Sequence, residues 1–317
     1  MEGSPMAMQT LQPRTDREPR PQHWRRNVAQ SVAAWLVAGL TALLPGCGDA
    51  ATPGTGQPAR PYEGRRLVVF VGSASQPPTE LAVQRFQQLT GARVEAHFGG
   101  SGEMLARMKL ADQGDVYFPG SSDYIELAKR EGLVDPASET IVAYLVPAIN
   151  VPRDNPKGIQ TLEDLAKPGV RVAIARPDTV CVGLYAVEVL ERAGLTSAVR
   201  PNIVNNTESC AKTAQVVALG QVDAVIGWEV FEHWEPTKIR TIYLPKERVP
   251  RIGFLPAAIG TGTKDAELAR AFLDFLTSAE GRAIYGKWNY LTSVDAARQH
   301  ALPDTPVGGE WPLPEGW

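Results

Sequence analysis

From residue 66 onward the hydrophobic positions change period at regular intervals, and each change marks an element. Leu67 to Val71 is an unbroken apolar, β-branched run that predicts a buried strand. It stops at Gly72-Ser73-Ala74-Ser75, after which Leu81, Phe86 and Leu89 share one helical face up to a terminating Gly91. Arg93 to Phe98 predicts a second strand, Gly99-Gly100-Ser101-Gly102 a tight loop, and Glu103 to Ala111 a second helix. Asp115 to Phe118 is a third strand-like run, ending in Pro119-Gly120 and followed by a helix over Ser122 to Arg130.

The texture then changes. Ile141 to Val151 is a longer apolar stretch, too interrupted by Tyr144 and Pro147 for a helix, and reads as a crossing strand that leaves the first domain. A second set of units follows: a short helix from Thr161, strand 170–175, loop 176–182 and helix 183–193. Strand 203–204, the polar run Asn205 to Cys210, helix 211–219 and strand 223–227, which runs into Trp228-Glu229, complete it. From Arg240 to Gly260 the chain is extended again and returns to the first domain, which helices 266–277 and 280–287 would finish.

Strands alternating with helices at this spacing predict an α/β protein with mostly parallel sheets covered on both faces. Ligands of such sheets bind beyond the carboxyl ends of the strands. Every small-residue loop named above follows a strand, so all of them can open into one cleft. Each brings hydroxyls and free N–H groups to a helix N-terminus, where unpaired donors and the positive end of the dipole attract an anion.

The first 47 residues have another pattern. After Arg25-Arg26 comes an apolar run from Val28 to Leu44, then Leu44-Pro45-Gly46-Cys47. The order of basic, apolar and small residues before a cysteine resembles a bacterial lipoprotein signal, with Cys47 as the lipidated residue and Pro45 as a departure from the usual lipobox. The alternative is an uncleaved anchor, since the run is just long enough to span a bilayer. Either way the folded part faces outward, periplasmic or at the cell surface. Residues 48–64 are mostly rich in Gly, Pro, Ala and Thr and read as a flexible tether.

Composition narrows the chemistry. The 317 residues are 44% hydrophobic, enough for two domains, with 32 basic and 35 acidic residues and a net charge of −3. Near-balance argues against a nucleic-acid partner. Only four histidines are present and none stands at zinc-ligand spacing, so neither a metal nor a cofactor is expected. Gly99-Gly100-Ser101-Gly102-Glu103 lacks the last glycine of a nucleophile elbow, and Lys264 does not follow P-loop spacing, so an enzyme is not expected.

Taken together, GSAS before a helix, HFGGSGEML, DVYFPGSSDY, DLAKPGVRVAIARPDTVCVGLYAVEVL, VDAVIGW and FLDFLTSAEGRAIYGKWNY resemble the type II periplasmic solute-binding proteins of ABC importers, in their molybdate/tungstate-binding branch. The resemblance implies a two-domain clamshell with a mixed, mostly parallel sheet in each domain and two crossing hinge strands. Domain 1 would comprise 65–146 and 254–303, domain 2 would comprise 147–253, and 304–317 would be a C-terminal tail. It also implies a monomer that takes a small oxyanion and hands it to a membrane permease. Carried over by position, the ligand donors are Ser73 or Ser75, Ser101 and the backbone N–H groups of Val182 and Cys210, with Trp228 where that family has a tyrosine.

Tyr117, Phe118, Glu103 and Glu229 would then be candidate cleft-wall residues. A carboxylate beside an anion is unfavourable, which leaves open a second reading, a larger organic or lipidic ligand for transport or sensing. Cys181 and Cys210 are the only cysteines after Cys47. In an oxidising compartment they would form a disulfide; two buried thiols or a thiol pair for a soft metal are the alternatives.

Overall fold

The computed structural model describes residues 60–317 except residue 112, so the expected signal, Cys47 and most of the tether lie outside the described residues. Ten strands alternate with helices as the sequence pattern predicts. In chain order they are β1 (Arg66–Gly72), α1 (Gln76–Thr90), β2 (Arg93–Gly99), α2 (Ser101–Ala111), β3 (Val116–Phe118), α3 (Ser122–Arg130), β4 (Thr140–Leu145) and β5 (Pro147–Pro152). Then follow β6 (Val172–Ala175), α4 (Cys181–Arg192), α5 (Thr196–Val199), β7 (Ile203–Thr207), α6 (Cys210–Ala218), β8 (Ala224–Trp228), α7 (Phe231–Trp234) and β9 (Ile239–Tyr243). The last elements are β10 (Gly253–Ile259), α8 (Ala266–Thr277), α9 (Ala279–Lys287) and α10 (Val294–Arg298). Among the described residues no helix is long and apolar enough to cross a membrane.

The strands form two five-stranded sheets, in the orders β2-β1-β3-β10-β4 and β7-β6-β8-β5-β9. In each sheet three parallel strands are followed by one that runs against its neighbours on both sides, β10 in the first and β5 in the second. This is the mixed, two-lobed α/β clamshell expected. β1 is apolar at every residue from Leu67 to Val71 because both its faces are covered, and Phe86 of α1 meets Phe272 of α8 at 5.2 Å beneath it. In the second lobe α4 is buried at every residue from Cys181 to Leu190, so apart from Glu188 that run carries no charge and does not read as an amphipathic surface helix.

The stretch Ile141 to Val151 is two strands, one in each sheet, joined at Val146. Val146 N–H donates to the Glu229 carboxylate at 2.8 Å, and Glu229 N–H donates to Val146 O at 3.2 Å, which pins the crossing. The extended region from Arg240 is likewise divided: β9 pairs with β5 in the second sheet, and only β10 returns to the first. Where the sequence leaves residues up to 303 with the first lobe, Ala297 and Ala301 pack in the second lobe's core. The tail continues there, with Trp311, Leu313 and Trp317 against the same core and Val307 bridged to Ile252.

Candidate functional site

The turn after β1 is a single 3-10 turn over Ser73–Ser75, and its two serines face different ways. Ser75 Oγ accepts from Thr79 at 3.1 Å inside its own lobe, where Thr79 also meets Tyr285 at 2.8 Å and Tyr290 donates to Ala74 O at 2.7 Å. Ser73 Oγ instead accepts from Ala211 N–H at 3.4 Å, in the first turn of α6 across the cleft. Geometry therefore brings Ser73, and not Ser75, to the second lobe.

Ser101 opens α2, and its Oγ accepts from Gly120 N–H at 3.0 Å, which leaves the hydroxyl proton to donate elsewhere. Tyr117 OH donates to Ser101 O at 2.8 Å and so holds the loop from below. Tyr117 and Phe118, expected as cleft wall, are fully buried in the core beneath the loop. Burial raises the Tyr117 phenol well above its ordinary range, which keeps it a neutral donor.

The second lobe supplies helix N-termini. α4 begins at Cys181, two residues earlier than the sequence predicts, after Val180, which gives no side-chain cap. α6 begins at Cys210 after Ser209, whose hydroxyl accepts from Lys212 N–H at 3.1 Å. The two cysteines are free thiols with their sulfurs 3.6 Å apart, where a disulfide is the expectation from sequence. Burial, followed by the neighbouring Cys181, pushes the Cys210 thiol well up, while the Val182 N–H and the Trp228 indole face its sulfur and act against that rise. Trp228 closes the site at the end of β8, its ring 4.8 Å from Tyr185 and its Nε1–H buried without a nitrogen or oxygen partner.

The lobes touch here. Gly102 N–H donates to Thr179 O at 2.8 Å. A Cβ on Gly120 would stand 2.5 Å from Cys181 Sγ and 3.5 Å from Ser101 Oγ, so this glycine lets the serine loop and the thiols converge. Ser73, Ser101, Cys181, Val182, Cys210 and Trp228 are all buried in this closed arrangement.

The two candidate carboxylates are not cleft walls. Glu103 points outward and pairs with Arg107 at 2.7 Å, as i and i+4 of α2. Glu229 is the buried hinge carboxyl, and burial, opposed by the Val146 N–H, pushes its pKa up to about 8.

Sequence reasoning missed Gly120, Ala211, Thr179 and a cluster two turns along α4. Arg251, between β9 and β10, donates to Glu188 of α4 at 2.7 Å and lies 3.0 Å from Asp123 of α3, with its guanidinium 4.0 Å above the Tyr185 ring. It also donates to Gly309 O of the tail at 2.7 Å. Gly120 had a signal, a glycine closing a strand in FPGS, whereas Arg251 is 63 residues from Glu188 and had none.

The sequence profile of the bacterial extracellular solute-binding protein family matches residues 67–291. A putative binding protein of Haemophilus influenzae is 28% identical over 222 residues, 68% of this chain and 86% of that protein. The molybdate-binding protein ModA of Mycobacterium tuberculosis is 28% identical over 255 residues, 80% of this chain and 93% of that protein. The solved periplasmic molybdate-binding protein of Azotobacter vinelandii superposes with a TM-score of 0.63 at 21% identity, covering 72% of this chain and 99% of that one. These proteins bind solutes and are not enzymes. With its two mixed sheets and closing loops, the chain belongs to the bacterial extracellular solute-binding proteins, as a ModA-like type II member.

Proposed function

We propose that the chain is the extracytoplasmic, lipid-anchored solute-binding component of an ABC importer, and that it closes over a small oxyanion of the molybdate or tungstate type. The reading rests on one observation: Ser73 and Ser101 of the first lobe meet the first turns of α4 and α6 with no charged side chain among them. Ser73 Oγ, Ser101 Oγ and the N–H groups of Val182 and Cys210 are the donors, and Trp228 forms one wall. Cys47 carries the lipid, and the permease takes the cargo when the lobes part.

Hydrogen bonds from neutral donors to an anion contribute about 1.5–3 kcal/mol each. The four donors together give roughly 6–12 kcal/mol gross, against which desolvation and ordering must be set. Donors from both lobes favour the closed state, because only there does the ligand meet all of them. The close approach of Gly100 and Gly120 to the opposite lobe supports a cargo of a few atoms over an organic body. The names of the Mycobacterium and Azotobacter relatives support the same class of cargo.

Calorimetry of the reduced protein against molybdate, tungstate, sulfate and phosphate tests the reading. A one-to-one heat with molybdate or tungstate, weakened by Ser101→Ala, is expected; no heat with any of the four would overturn it.

A further inference from the structure

The oxyanion reading uses the backbone of α4 and α6 and leaves their two thiols without a task. Cys181 and Cys210 hold the first positions of these helices, buried and unbonded, with sulfurs 3.6 Å apart. Gly120 lies between the two lobes here: a Cβ on it would stand 2.5 Å from Cys181 Sγ and 3.5 Å from Ser101 Oγ of the opposite lobe. Trp228 Nε1–H, fully buried, has no oxygen or nitrogen to meet and faces only the Cys210 sulfur. Adjacent thiols, a hydroxyl and an N–H with only sulfur to meet suit a ligand that bonds sulfur and also carries oxygen.

The sulfur spacing selects the class of central atom. An atom bonded at about 2.3 Å to each sulfur spans the 3.6 Å gap at an angle of roughly 100°, whereas a linear two-coordinate ion needs sulfurs about 4.6 Å apart. A tetrahedral metal ion fits the angle but requires more protein ligands. Among the described residues no group of three or more His, Cys, Asp or Glu is placed to supply them. A pyramidal centre with a lone pair and one remaining oxygen needs none.

The geometry points to a neutral trivalent arsenic or antimony hydroxide as a cargo of this cleft, captured by the Cys181 and Cys210 thiols. The inference rests on the cleft being the ligand site, as proposed above, and names a thiophilic ligand for it. Each thiol displaces one hydroxide from the trivalent atom. Two bonds to oxygen break, two bonds to sulfur form, and each thiol proton leaves with its hydroxide as water. The oxidation state is unchanged, and the third hydroxyl stays between Ser101 Oγ and the Trp228 N–H.

The test is titration of the full-length, thiol-reduced protein with arsenite, in parallel with the four tetrahedral oxyanions, followed by heat, intact mass and thiol count. One arsenic per chain is expected, with a mass gain of arsenous acid less two waters and the loss of two reactive thiols. Cys181→Ala and Cys210→Ala should each weaken uptake by about 100-fold, because one of two attachments is lost. Oxidising the unsubstituted protein to the Cys181–Cys210 disulfide should abolish uptake without any substitution. Absence of the adduct, or equal uptake by the oxidised protein, would overturn the inference. Heat with molybdate and no arsenic adduct removes this inference and leaves the oxyanion reading standing. An arsenic adduct with no heat from any tetrahedral oxyanion supports this inference and removes that reading.

Discussion

Where the cleft closes, Ser73, Ser101, Cys181, Cys210 and Trp228 are buried without a formal charge among them; two turns further along α4 the same two lobes are joined through Arg251, Asp123 and Glu188, all buried and all charged. The difference follows from what each junction has to do. Neutral hydroxyls and N–H groups exchange one partner for another at little net cost, so lobes joined by them can open to release a ligand. Pulling apart paired, buried ions costs more, so a junction of that kind parts less readily. The cleft is thus built to let go and the Arg251 cluster to hold.

The largest effect is expected from the held side. Arg251→Met leaves Asp123 and Glu188 buried without their cation and should cost about 3–5 kcal/mol, read as a fall in the urea midpoint at constant slope. A loss no greater than that of a cleft substitution would erase the contrast.

Glu229 comes next. Its folded pKa of about 8 lies above the ordinary 4.5, so the folded state binds the extra proton between those values. Its contribution is fully present below pH ~4.5 and declines as the pH rises through about 8, by up to about 1.4 kcal/mol per pH unit across that window. Melting temperature followed from pH 4 to 9 should therefore decline in the parent, and Glu229→Gln should flatten that decline.

On the neutral side, Ser101→Ala should weaken oxyanion binding by roughly 10–100-fold and change the stability of the ligand-free fold by under about 1.5 kcal/mol. Gly100→Ala sharpens the comparison further. Its Cβ would meet only the opposite lobe, at 3.0 Å from both Glu208 O and Thr179 O. Affinity should fall about tenfold while each lobe keeps its own packing. A melting temperature lowered as much as by Arg251→Met would show that the cleft also carries the fold.

Which parts of the molecule are legible in the sequence follows from the range of the interactions. Units such as Leu67 to Gly120 are local: period, glycines and helix caps lie within a few residues, so strands, helices and serine loops can be read directly. The break at Val146 cannot, because both strands it separates are apolar and the group that satisfies Val146 N–H is Glu229, 83 residues on. Sequence neighbours alone make Glu229 and Glu103 candidate cleft carboxylates, yet one faces the hinge and the other an arginine one turn along its own helix. Ser73 and Ser75 are indistinguishable until Thr79 and Ala211 supply partners from opposite sides. The Arg251 cluster gathers three elements and the tail, and no local pattern encodes it.

The C-terminal tail has a consequence in time. Gly309 O accepts from both Ser122 and Arg251, Glu310 pairs with Arg130 of α3, and Trp317 lies under Arg200 and donates to Glu191 of α4. These residues follow every strand of both sheets along the chain, and domains generally fold from the amino end. Both sheets can therefore pair before Arg251 has all its partners, and residues 309–317 fasten onto α3 and α4 only after the strands are in place. A chain cut short before Gly309 would lose that later step while leaving the earlier ones intact.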